Sequence, residues 1–377
     1  MQGLFALFSI WQGFINLTVA RPPQFEAPPW PPRLRGFPPR PSTAASRAAE
    51  RPPYNHTLLY TPEQQPNGWT RIPLITIADQ DKLSASKTVK GLFVAPSVRG
   101  HLRYNLNTME FEIEWESVFN YTSFLNNKGR GMELSDLKVF NGHLYAPDDK
   151  TSIVFRLTDQ MAIPWTVEAD GNGFNNRTYK TEWLAIKDEE LYVGGYGKEY
   201  TDKHGRLLNK GPMWIKIIDR FGAVRHVNWT RQFHAVRSSI GIEFPAYMVH
   251  ESCQWSEVHK SWFFLPRRAS WTIYKAAEDE NKGTNYLIKT DESFTEFSVV
   301  RIGQDTHPTH GFSAFQFVPG SHDRVIIALK SEEVEGQPLA SYVMIFDVDG
   351  RVYMEETKIQ GDFKLEGLEF VDWTRPF

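Results

Sequence analysis

The chain has 377 residues, 41% of them hydrophobic and 14% aromatic, enough apolar material for one large or two ordinary domains, which excludes disorder throughout. Its formal net charge of −3 hides an asymmetry, because the first 53 residues hold six Arg against two acids (Glu26, Glu50) and residues 54–377 keep 36 basic against 43 acidic side chains, a net −7. Such an acidic body is a poor partner for nucleic acid, and a polyanionic substrate there needs an intervening cation.

In chain order, residues 1–20 carry no charged side chain, are apolar over most of their length and end in Thr18-Val19-Ala20. That small-x-small ending reads as a signal peptide, with an uncleaved signal anchor as the alternative. Residues 21–53 hold 11 of the 24 prolines and few aliphatic side chains, as expected of a disordered stalk or pro-segment. Sequons follow at Asn55, Asn120, Asn176 and Asn228, so the chain is expected to be secreted or in the secretory lumen, with no stable span once the peptide is cleaved. A lone cysteine, Cys253, excludes an intrachain disulfide and leaves the fold to its core and any bound metal.

From residue 54 to 377 the pattern changes to short alternating apolar segments, such as Leu74-Ile75-Thr76-Ile77-Ala78 and Val325-Ile326-Ile327-Ala328-Leu329, separated by turns such as Asn141-Gly142 and Asp349-Gly350. This predicts an all-β domain. Within it one short motif recurs: Ser or Glu, any residue, an apolar residue, any residue, an apolar residue. It begins at Ser135, Glu182, Glu251, Ser313 and Glu366, with spacings of 47, 69, 62 and 53 residues, near or above the roughly 40–50 of a four-stranded propeller blade. If each copy is the innermost strand of a blade, the five leading oxygens converge on the channel axis and can cage a hard cation. On strand alternation alone a leading residue would share a sheet face with the apolar positions after it, so its aim stays open.

Several runs carry a family resemblance. Lys128-Gly129-Arg130-Gly131-Met132-Glu133-Leu134-Ser135-Asp136-Leu137, Phe263-Phe264-Leu265-Pro266-Arg267-Arg268-Ala269-Ser270, Thr309-His310-Gly311-Phe312-Ser313 and Glu366-Gly367-Leu368-Glu369-Phe370 resemble the soluble calcium-activated nucleotidase (apyrase) family. That family includes a vertebrate secretory-pathway nucleotidase and salivary apyrases of blood feeders. The resemblance, from about Ile75 to Phe370, implies a five-bladed β-propeller with a central calcium site. It also implies Ca2+-dependent hydrolysis of nucleoside di- and triphosphates (the UDP, GDP, ADP and ATP class). It places the calcium cage on Ser135, Asp136, Glu182, Glu251, Ser313 and Glu366.

For phosphate contacts the best candidates are Arg130, Arg267 and Arg268, with Lys198 and Lys330 behind them. Candidates for the group that orients water are Asp79 and the Asp148-Asp149 pair, each after an apolar strand, with Glu133 acting beside Arg130; a turn-capping Asp is the plainer alternative. No P-loop and no His/Cys set with zinc spacing occurs, and His250 reads as a core residue rather than a ligand. A propeller glycosidase and a non-catalytic propeller pinned by calcium are the rival functions. Monomer and homodimer are both open.

Overall fold

In the computed structural model, residues 52–304, 307–334 and 337–377 are described. The expected signal peptide and nearly all of the Pro-rich stalk lie outside them. Residues from Pro53 to Phe377 form one unit. Among the described residues no helix is long and apolar enough to cross a membrane.

Five antiparallel blade sheets make up most of this unit, with a small two-stranded sheet of Tyr200–Thr201 and Leu207–Asn209 inside the sequence span of the third blade. The second blade runs Lys138–Phe140, His143–Pro147, Ile153–Leu157, Ala162–Val167. Next come the third (Trp183–Lys187, Glu190–Gly194, Trp214–Ile218, Val224–Asn228) and the fourth (Tyr247–Ser256, Ser261–Ser270, Tyr286–Asp291, Phe297–Arg301). The fifth blade is His310–Phe317, Val325–Val334, Gln337–Asp347, Val352–Lys358. The first blade is composite. Its innermost strand is the last of the chain, Leu365–Glu369, paired with Thr70–Ala78, which continues into Phe93–Asn105 and Glu110–Ser123. The innermost strands of adjacent blades touch in the cyclic order second, third, fourth, fifth, first, second, so the ring is closed: a five-bladed β-propeller. Pairing the two ends of the domain through Ile75↔Glu369, Thr76↔Leu368 and Ile77↔Gly367 removes the edge that an open ring would expose.

All five copies of the recurring motif lie on, or lead into, these innermost strands. The apolar residue two places after each leader, namely Leu137, Leu184, Cys253, Phe315 and Leu368, is buried between blades. Cys253 is thus a core thiol. Packing at the closure is tight. A Cβ on Gly367 would come within 2.6 Å of the Asp136 carbonyl carbon and 2.8 Å of the Leu137 nitrogen, both backbone atoms that cannot swing aside. Gly367→Ala should therefore lower stability by about 1–3 kcal/mol in a urea titration at fixed calcium, the usual cost of overpacking; an unchanged midpoint would contradict this reading of the closure.

Candidate functional site

In an antiparallel hairpin the start of one strand lies beside the end of the next. Every blade therefore brings the N-terminal end of its innermost strand and the C-terminal end of its second strand to the same rim. From the innermost strands and the residues leading into them come Glu133, Lys180, Glu182, Glu251, Lys364 and Glu366. The second strands and their exits supply Asp79, Asp81, Asp149, Lys150, Arg267, Arg268 and Glu333.

The leading residues escape strand alternation in two ways. In the fourth, fifth and first blades they sit on β-bulges: the ladder skips from His250 to Cys253, from Phe312 to Ala314, and from Leu365 to Gly367. A bulge re-aims the extra residue away from the face its neighbours share. Ser135 and Glu182 instead precede their strands, held by Ser135 N–H to the Pro147 carbonyl (3.0 Å) and Glu182 N–H to the Gly194 carbonyl (2.7 Å).

The charged side chains form a nearly closed ring. Arg130 bonds Asp81 at 2.8 Å and grips Glu133 with two nitrogens; Lys150 lies 3.6 Å from Glu133 and 3.0 Å from Asp149. Lys180 joins Asp149 (2.8 Å) to Glu182. Across the ring Arg267 holds Glu251 and Glu333 at 2.7 Å each, Glu366 at 3.4 Å, and the Ser331 hydroxyl. Lys364 completes it with contacts of 2.9–3.2 Å to Asp79, Asp81, Glu333 and Glu366. The break lies between Glu182 and Glu251, two carboxylates that no single cation bridges by direct contact among the described residues.

Charge is left over. Eight carboxylates (Asp79, Asp81, Glu133, Asp149, Glu182, Glu251, Glu333, Glu366) meet five cations (Arg130, Lys150, Lys180, Arg267, Lys364), so full ionisation would leave an excess of three negative charges, and that crowding is met by raised carboxyl pKa values. Counting Arg268 with its partner Asp279 leaves the excess unchanged. Burial pushes the Glu182 carboxyl up to about 8, with Lys180 pulling it down and Glu251 and Asp149 pushing it further up. Glu133 is likewise raised to about 8, by burial and then by Asp79, against Arg130. Glu366 is raised well above the carboxylate range by burial, despite Lys364. Asp149 goes the other way: burial opposes its charge, but Lys180 and Lys150 hold it ionised. Buried oxygens without a hydrogen-bond partner include Asp149 Oδ1 and the hydroxyls of Thr181 and Ser252, which adjoin Glu182 and Glu251 in sequence. An oxygen-rich, net-negative setting of this kind suits a hard dication with six to eight oxygen ligands. Three of the carboxylates, Asp79, Asp81 and Glu133, also converge, with one oxygen of each within 4.8 Å of the others.

Other candidates are placed differently. Both Asp136 oxygens accept backbone N–H bonds, from Leu137 (2.7 Å) and Leu184 (2.6 Å), so this side chain braces the second blade against the third. Ser313 Oγ donates to the Leu365 carbonyl at 2.7 Å, and Ser135 Oγ lies 3.5 Å from the Glu133 carbonyl. Asp148 is the turn-capping acid: Oδ2 accepts from Met132 N–H and Oδ1 from Lys150 and Thr151 N–H, whereas its neighbour Asp149 faces the ring. Asp79 bonds Lys364 and caps Asp81 N–H. Arg268 pairs with Asp279 and Glu333. Lys198 is packed on the Tyr274 ring at 4.2 Å, and Lys330 is fully buried over Phe312, bonded to Asn285 and Glu356. His250, stacked on Phe233, is a core residue whose pKa burial lowers to about 3. Sequence reasoning passed over Lys150, Lys180, Glu333 and Lys364. Two of these carried a signal, since Lys180 and Lys364 each stand two places before a leading Glu and so share its side of the chain.

Beside the ring opens a pocket of about 530 Å3, lined by Asn127, Lys128, Asp170, Asn176, Arg177, Thr178, Lys180, Tyr196, Tyr200 and Pro212. Lys180 belongs to both the pocket lining and the ring.

Fold and rim together define a closed five-bladed propeller with a carboxylate-rich ionic rim. The chain belongs to the apyrase family: a family profile described as Apyrase matches residues 80–371. It is 43% identical over 319 residues to Apyrase apy-1 of Caenorhabditis elegans, covering 84% of this chain and 89% of that one. It is 44% identical over 319 residues to soluble calcium-activated nucleotidase 1 of Rattus norvegicus, covering 84% of this chain and 78% of the relative. The Apyrase of Cimex lectularius is 39% identical over 315 residues, 83% and 86% of the two chains.

Proposed function

We propose that this protein hydrolyses the phosphoanhydride bonds of nucleoside di- and triphosphates, releasing phosphate, and that it requires Ca2+ to do so. The observation that carries the reading is the uncompensated carboxylate ring sharing Lys180 with an open pocket, in a member of the apyrase family. Glu182, Glu251 and Glu366 are the carboxylates proposed to hold the calcium, with oxygens of Ser135 and Ser313 nearby and Asp136 bracing the strands behind them. Bound there, calcium would offset negative charge on the phosphate oxygens.

The remaining chemistry falls to the chain's own residues. Arg130 reaches out of the ring with its side chain 27% exposed, and Lys180 with 43%, so both can contact phosphate oxygens while staying in place through Glu133 and Asp149. Arg267 is 2% exposed and serves to fix Glu251, Glu333 and Glu366. Glu133 and Asp79 are the carboxylates whose raised pKa suits taking a proton from an attacking water. In the pocket, Tyr196, Tyr200 and Arg177 offer flat faces for a nucleobase. Phosphate release across UDP, GDP, ADP and ATP, with calcium and then with chelator, tests the reading; no release from any of them would overturn it.

The expectation of secretory entry stands as part of this proposal. All four sequon asparagines, Asn55, Asn120, Asn176 and Asn228, are exposed, as glycan attachment requires. Protein from a eukaryotic host should gain gel mobility on enzymatic deglycosylation. No shift, with retention in the cytosol, would contradict it.

A further inference from the structure

Two histidines and a glutamate that the ring does not use converge on the fifth blade. His307 and His310 flank a turn closed by the His310 N–H to the His307 carbonyl (3.0 Å), and their rings lie stacked with centroids 4.7 Å apart. Glu356 arrives from the outermost strand of the same blade, at the irregularity between the Val343↔Thr357 and Ile345↔Met354 pairs. One ligand-type atom from each of the three lies within 4.8 Å of the others, and His310 Nδ1 is already 2.6 Å from Glu356 Oε2.

We propose that His307, His310 and Glu356 bind a transition-metal dication of the Zn2+ class, at a site distinct from the carboxylate ring. The donor types separate the two sites. Imidazole suits Zn2+, Co2+ or Ni2+, whereas an all-oxygen ring suits Ca2+. Two nitrogens and one carboxylate oxygen are a three-ligand set that leaves a fourth position of a tetrahedral ion for water. The surroundings hold Glu356 and His310 in place, and exposed His307 is free to turn its ring toward the same ion. Lys330 bonds Glu356 through Oε1, leaving Oε2 toward His310, and His310 stacks on Tyr342 at 4.1 Å. Glu332, fixed by Thr309 and Tyr342, stands 3.6 Å from His310 Nε2 and adds negative charge beside the cluster. His307 is exposed, so an ion has an entry path.

Occupancy would tie the turn before the innermost strand to the outermost strand. That turn abuts the ring: Gly311 follows His310, and a Cβ there would meet Arg267 Cγ at 2.4 Å. A metal bound at His310 therefore stiffens the support of Arg267.

The test is calorimetric titration of Zn2+ into the full chain saturated with Ca2+, so that the ring is not the binding site read. The parent should take up a single equivalent and gain thermal stability. His307→Ala, at an exposed position, should weaken Zn2+ binding at least tenfold and abolish that gain, and Glu356→Gln should do the same. Unchanged Ca2+ binding by His307→Ala shows that the fold is kept. No Zn2+ uptake by the parent, or uptake indifferent to His307→Ala, overturns the proposal.

Discussion

Replacing Arg267 with methionine is expected to destabilise the protein by about 3–5 kcal/mol, the cost of leaving buried charges without their partner. The guanidinium is 2% exposed and contacts Glu251 and Glu333 at 2.7 Å, Glu366 at 3.4 Å and the Ser331 hydroxyl. Methionine fills similar space but leaves three carboxylates facing one another around a buried gap, where the ring already carries excess negative charge. Lysine restores the charge as a single point, while arginine spans its partners with separate nitrogens, so Arg267→Lys should recover only part of the loss. Urea titrations in EGTA measure both variants. A loss below about 1 kcal/mol for the methionine variant, within the range of ordinary surface changes, would mean that Arg267 does not hold the ring together.

The second large effect belongs to Glu182. Changing it to glutamine keeps the side chain's size and removes one anionic oxygen at the gap facing Glu251, while Asp149 still retains Lys180 at 2.8 Å. The calcium concentration needed for half-maximal hydrolysis should rise at least about tenfold, in line with losses seen on weakening a metal site. The maximal rate at saturating calcium should fall less. An unchanged calcium requirement would place the ion elsewhere.

Much of the fold was legible because a propeller repeats. Five copies of one motif, 47 to 69 residues apart, marked all five innermost strands and the rim where the carboxylates gather. The direction in which the leading residues point was hidden, because the bulges at Glu251, Ser313 and Glu366 depend on the neighbouring strand's register and not on local sequence. Asp148 and Asp149 could not be told apart by type. Only the three backbone N–H groups gathered by Asp148 and the two lysines beside Asp149 separate the capping acid from the ring acid. Lys198 and Lys330 look like surface cations in the sequence, yet one lies over Tyr274 and the other is sealed against Phe312 by Glu356. The His307, His310 and Glu356 cluster escaped notice because His307 and His310, three residues apart, make no full zinc set by themselves, and the third donor, Glu356, is 46 positions from His310 and joins them only through the stacking of strands within the fifth blade.

The central claim, that hydrolysis runs through a cation held by the carboxylate rim, is tested most directly by titrating calcium into the purified parent chain and following phosphate release from a nucleoside diphosphate. The account predicts no turnover in excess EGTA with no other divalent ion present, and a saturable rise in rate as calcium is restored. Full activity in EGTA would contradict it.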